Sequence, residues 1–218
     1  MALELQNARA ERERLAQQRT APAASATAPA AALIRDPAWL PIRSIADWVQ
    51  GDAELREASM DPAGFFARYG FIVETYNGTH YLLVWNRPGF RLTQQTGAWR
   101  VLRTLVANDA NGHFVQFTLD DTGARLLGDL TQANIGRNMA IIVNDVVYLA
   151  PQIASRVGRQ AQLAGSFSAE EANKLSQDLS RPGALTMRIA VSPGELPGER
   201  DLRQDMLLYG PAGKPPTP

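Results

Sequence analysis

Between residues 114 and 191 the apolar positions switch repeatedly between a period of two and a period near 3.6. The pattern predicts strand, helix, three strands, helix and strand in that order. Residues 114–119 form the first strand, and Asp120 or Asp121 caps a helix running to about Ile135. Leu126, Leu127, Leu130 and Ala133 give that helix its buried face, and Gly136 stops it in a left-handed turn. Residues 139–143 are almost wholly apolar, as in a strand covered on both faces. Asn144-Asp145 turns into a strand over 146–149 that Ala150-Pro151 ends, and 160–164 is a further strand closed by Gly165. Ser168 and Glu171 have capping-box spacing ahead of a helix carrying Ala172, Leu175 and Leu179, which stops before Pro182-Gly183. Alternation over 185–191 supplies the last strand.

The fold class these elements imply is α+β: a ferredoxin-like sheet with two helices on one face, preceded by a smaller hairpin-rich α+β segment. In that segment 44–50 predicts a short helix carrying Ile45, Trp48 and Val49. Asp61-Pro62 starts a second short helix that Gly70 ends. Strands over 71–76 and 79–85 flank Asn77-Gly78, the strongest short hairpin signal, and 99–107 is another strand that turns back through 108–112. Further out, 1–19 reads as a charged helix with too few apolar residues for a stripe, and 20–38 as a disordered alanine- and proline-rich linker. The divisions expected are therefore 1–19, 20–38, an α+β segment over 39–112, a domain over 113–192, and a Pro/Gly-rich tail over 193–218. In the tail only Leu202, Met206, Leu207 and Leu208 suggest a short docking helix.

Composition narrows the function. A net charge of zero gives no electrostatic footprint for nucleic acid or an anionic membrane surface. With no cysteine, disulfides, thiolate catalysis and thiolate metal sites drop out. No apolar run approaches membrane-spanning length, and the start lacks a signal-peptide pattern. His80 and His113 are the only histidines, and neither has an Asp, Glu or second His at ligand spacing, so no metal is expected. Asp109 to Gly112 lacks the donors of a calcium loop and reads as a turn. Glu170 and Glu171 suit a helix start and do not face each other as an acid–base pair would. Ser166 and Ser168 have no local histidine to activate them, and the glycines of 194–198 lack the lysine of a phosphate loop. No catalytic residue and no cofactor site is expected.

Two groups of side chains remain. Tyr76, Tyr81, Trp85 and Trp99 alternate on paired strands, and they either present an aromatic face to an unfolded peptide or fill the core. Thr131, Asn134, Gly136, Ala140, Pro151, Gly165 and Phe167 form spaced punctuation, for which a mainly structural role suffices. Asn134 and Gly136 give a polar notch or simply end a helix, Pro151 shapes a loop or ends a strand, and Gly165 and Phe167 set a tight turn and a core anchor.

The series Thr131-x-x-Asn134-x-Gly136-x-x-x-Ala140, an apolar strand, Asn144-Asp145, Ala150-Pro151 and Gly165-x-Phe167-Ser168-x-Glu170-Glu171-Ala172 resembles the head subdomain of the first periplasmic domain of the SecD/SecDF protein translocases. That resemblance implies a non-enzymatic module contacting emerging polypeptide in protein export, with unfolded or translocating chains and Sec translocon components as partners. It also implies a periplasmic setting, with any membrane attachment through an anchor absent from this sequence. Neither the six-helix membrane bundle nor its proton-carrying aspartate is present, so proton-driven pulling does not carry over. The usual Asp-Gly turn is Asn144-Asp145 here, and the chain looks like a free-standing or singly anchored relative with an internal start at Met1. The competing expectation is a structural or assembly protein of the cell envelope that reuses the fold.

Overall fold

The computed structural model describes residues 36–94, 98–109 and 112–212, and the expected N-terminal helix and most of the linker lie outside these residues. The elements in chain order begin with β1 (Ala38–Pro41), a 3-10 turn (Ile45–Trp48), α1 (Asp52–Met60) and α2 (Pro62–Arg68). Then come β2 (Val73–Tyr76), β3 (Thr79–Val84), β4 (Arg91–Leu92), β5 (Val101–Asp109), β6 (Gly112–Leu119) and α3 (Asp121–Ala133). The chain continues with β7 (Met139–Val143), β8 (Val146–Leu149), β9 (Gln160–Phe167), α4 (Ala169–Leu179), β10 (Leu185–Ile189) and α5 (Glu199–Tyr209).

Local signals place most of these boundaries. The Asp120 side chain accepts from Gly123 N–H at 2.8 Å and caps α3, while its second oxygen accepts from Arg100 N–H at 3.1 Å at the start of β5. One carboxylate therefore serves a helix and a strand, and Asp120→Ala is expected to cost about 1–2 kcal/mol in a denaturant titration. Ser168 and Glu171 close the predicted capping box at α4. Asn77-Gly78 and Asn144-Asp145 both take positive φ at paired positions, which joins β2 to β3 and β7 to β8 by tight hairpins.

The fold is mixed α+β with antiparallel sheets, but the strands do not form one ferredoxin-like sheet. They sort into β1-β3-β2, β4-β10-β7-β8 and β5-β6-β9. The physical reason lies in β7, which is apolar on both faces and must be covered on both. Met139, Ile141 and Val143 point into one core, Ala140 and Ile142 into a second. The first core is filled by Val115, Phe117 and Leu119 of β6, Leu127 and Leu130 of α3, Leu175 and Leu179 of α4, and Leu185, Met187 and Ile189 of β10. Helix α4 packs on β5, β6 and β9, whereas α3 touches β4 and β6 and so reaches two sheets. The second core joins β7 and β8 to the N-terminal sheet and α2 through Leu40, Phe65, Phe66, Leu82 and Val84. The N-terminal and middle sheets are also tied directly, with Trp85 N–H donating to Ile189 O at 2.9 Å and Val191 N–H to Leu83 O at 3.0 Å.

One element differs from the sequence expectation. Helix α1 had no predicted counterpart: its N-cap is Gly51 without a side-chain bond, and only Ala58 on it is buried. In the tail, α5 forms over the expected leucines and docks through Met206, which is fully buried. Strands β5 and β6 make a continuous hairpin, so residues 101–109 share a sheet with the second half of the chain.

Candidate functional site

An apolar groove of about 220 Å³ opens on the flank of the second core. One wall is aromatic, built by Trp48 from the 3-10 turn, Phe65 and Phe66 from α2, and Tyr69 and Phe71 just after it. Its rings meet edge to face: Trp48 to Phe66 at 5.3 Å and 81°, Trp48 to Phe71 at 5.4 Å and 89°, and Phe65 to Phe66 at 5.5 Å and 89°. Such pairs fix one another's orientation and add stability beyond the area they bury. The opposite wall is Leu149, Ala150 and Pro151 at the end of β8. Tyr69 stands at the rim, 52% exposed.

The Trp48 indole N–H is buried and has no hydrogen-bond partner among the described residues. A buried donor without an acceptor costs about 1–3 kcal/mol, which the edge-to-face packing of the indole against Phe66 and Phe71 has to outweigh.

Four of the predicted motif residues build the ground behind this groove. Thr131, fully buried, donates to Leu127 O at 2.8 Å and accepts from Val157 N–H at 2.9 Å. Asn134 donates to Leu130 O at 2.8 Å and Gly89 O at 3.1 Å, closing the end of α3 onto the segment before β4. Gly136, at φ +86°, donates to Ile153 O at 2.8 Å and accepts from Gln152 Nε2 at 3.1 Å. Pro151 O accepts from Met139 N–H at 3.0 Å. These bonds clamp 151–157 against the end of α3, which aims Pro151 at the aromatic wall. Ala140 is fully buried in the second core.

Gly165 and Phe167 lie elsewhere, beside a charged cluster. Arg43 bonds Asp47 at 2.8 Å through Nε and Glu171 at 3.0 Å, and its guanidinium lies 4.7 Å from the Phe167 ring centre and 5.5 Å from that of Tyr148. A Cβ on Gly165 would meet Phe167 at 3.1 Å and Asp47 Oδ1 at 3.3 Å, so glycine lets the strand approach this cluster closely. Burial raises the Tyr148 hydroxyl pKa above its ordinary value.

The aromatic set from the hairpin is placed differently. Trp85 and Trp99 are 4% and 3% exposed and belong to the first core, so neither offers a ring face to a partner. Tyr76 and Tyr81 are half-buried against the same core. The groove aromatics Phe65, Phe66, Tyr69 and Phe71 are not among the residues expected from the sequence, although their crowding around Gly70 is a legible signal. His80 sits beside Thr75 Oγ1 at 2.8 Å, and burial lowers its pKa. Among the described residues no group of three or more His, Cys, Asp or Glu stands together as a metal site, and no helix is long and apolar enough to cross a membrane.

Comparison with known proteins places this architecture. Residues 100–187 match the family model described as the P1 head subdomain of SecDF. Protein translocase subunit SecD of Desulfurispirillum indicum is 43% identical over 101 residues, 46% of this chain and 19% of that protein. The SecD of Elusimicrobium minutum is 39% identical over 77 residues, 35% of this chain and 16% of its own, and that of Calditerrivibrio nitroreducens 33% over 106 residues, 48% and 20%. The chain thus matches only 16% to 20% of the length of these relatives. A solved SecDF structure aligns over 72% of this chain and 69% of its own at 22% identity, with a TM-score of 0.39 that carries no argument of its own.

The class is a mixed α+β module of antiparallel sheets. Within that class, residues 100–187 are similar to the P1 head of SecD. The aromatic wall from Trp48 to Phe71 precedes the matched span, whereas Leu149, Ala150 and Pro151 fall inside it.

Proposed function

We propose that this protein is a non-enzymatic interaction module of protein export that holds extended polypeptide on the periplasmic side. Its clients are unfolded or translocating chains and its neighbours are Sec translocon components. The observation that carries the reading is the groove itself, an aromatic wall facing a proline. A cavity of about 220 Å³ has room for one or two apolar side chains. A small apolar cavity of this kind selects for apolar character and extension and not for sequence. A small contact of this kind binds weakly and releases quickly, which suits a chain that has to keep moving.

The test is a photo-crosslinking residue at position 69 with an unfolded secretory client. Strong adducts are expected there and not at position 207, which is equally exposed but remote from the groove. Tyr69→Asp is expected to weaken client binding about tenfold while leaving the unfolding free energy within about 0.5 kcal/mol, because the side chain is at the rim. Crosslinking no greater than that of an unrelated α+β domain of the same size would end this reading.

A further inference from the structure

Strand β5 is the outermost strand of its sheet, with β6 on one side and no strand on the other among the described residues. Its sequence, Val-Leu-Arg-Thr-Leu-Val-Ala-Asn-Asp, has strong strand propensity, no proline and only two charges. Leu102 and Leu105 are 52% and 45% exposed. An open edge of that composition is the kind that proteins either blunt or use for pairing.

The ladder shows which groups are on offer. Asp109 and Gly112 are register partners across a two-residue connection, so the hydrogen-bonded pairs with β6 fall at Asp109, Ala107, Leu105 and Arg103. The N–H and C=O groups of Thr104, Val106 and Asn108 therefore face outward. The one irregularity lies between Val101 and Arg103, which leaves Arg103 to Asp109 as a regular stretch centred on Val106.

We infer that this stretch pairs antiparallel with the same stretch of a second copy, about a two-fold axis at Val106, to make one continuous six-stranded sheet. The self-complementarity of the stretch favours a second copy over other occupants. A two-fold at Val106 sets Thr104 opposite Asn108 with outward-facing groups on both, so the bonding parity is right. On the solvent face it sets Arg103 directly opposite Asp109 twice, and Leu105 opposite Ala107, with the two Leu105 side chains as diagonal neighbours. Opposite charges therefore meet on both sides of the axis, and the exposed leucines cover each other. The association is weak and concentration-dependent, since an edge pairing buries little area, and salt weakens it because the ion pairs lie at the surface.

The experiment is sedimentation of the full chain over a concentration series at low and moderate salt. Wild type is expected to pass from monomer to dimer. Arg103→Asp and Asp109→Arg, each alone, place like charges opposite one another and are expected to weaken dimerisation on the order of tenfold or more. The double variant Arg103→Asp with Asp109→Arg restores opposite pairing and is expected to regain the wild-type constant. Within one chain these positions are roughly 20 Å apart along the strand, so a merely structural effect of either change cannot be rescued by the other. A wild type that stays monomeric at high micromolar concentration overturns the inference. So does a dimer indifferent to both single changes, or one that the double variant fails to restore.

Discussion

Phe117→Ala is expected to cost about 3–5 kcal/mol, the largest loss from any single substitution considered for this protein. Phe117 is fully buried at the middle of β6, with Thr104 of β5 and Ala161 of β9 as its register partners. Both neighbours are small, so neither can swing in to fill the space the ring leaves. The first core in which the ring sits is walled by two helices and a second sheet, which restricts collapse from the other directions. Domains of this size are stable by roughly 5–15 kcal/mol, so the loss is about a fifth of the total or more. A urea titration should show the midpoint falling with an unchanged slope. Phe117→Leu, which retains most of the volume, should lose clearly less. Equal losses for the two substitutions would mean that the cavity is not the cause.

The second large effect has the opposite sign: Arg188→Met is expected to stabilise the protein by about 1–4 kcal/mol. Arg188 in β10 is 5% exposed, and both its Nε and one of its terminal nitrogens are buried without a hydrogen-bond partner. Its register partner in β4 is another arginine, Arg91, whose Nε is likewise unpartnered. Burial, reinforced by the charge of Arg91, pushes the Arg188 pKa down to about 10. The folded state therefore holds this proton less tightly than the unfolded chain does. Below about pH 10 the guanidinium is charged in both states and the full penalty is present. As the pH rises through that value the folded form releases the proton first and the penalty shrinks. The stability gap between Arg188→Met and wild type should thus be flat across neutral pH and narrow in alkali. A variant less stable than wild type at pH 7 would show that the arginine is held by an interaction worth more than its desolvation.

Short-range chemistry made much of this fold readable in advance. Asp120, the Ser168–Glu171 box, Asn77-Gly78 and Asn144-Asp145 act within four residues of themselves, and each sets its helix start or hairpin as its residue types require. Strand partition was not readable, because nothing local in 114–119 or 139–143 says which strand will lie alongside. That choice follows from the need to cover β7 on both faces, which brings in the N-terminal sheet from far away in the chain. Helix α1 was obscured by a weak apolar face and a glycine cap. The groove was hidden for a similar reason. Its walls come from residues 48–71 and 149–151, which meet only in the folded chain. Thr131, Asn134, Gly136 and Pro151 act architecturally, by fixing the segment that carries the proline wall.

Strand β7 also has a consequence for how the molecule can be taken apart. Because Ala140 and Ile142 complete the core that Leu40, Phe66 and Leu82 begin, residues 100–187 cut from this chain would carry a bare oily flank where the N-terminal sheet had been. The two halves are consequently expected to melt as a single cooperative block, which one calorimetric transition would show. In this protein the head-like span borrows its structural integrity from the residues ahead of it.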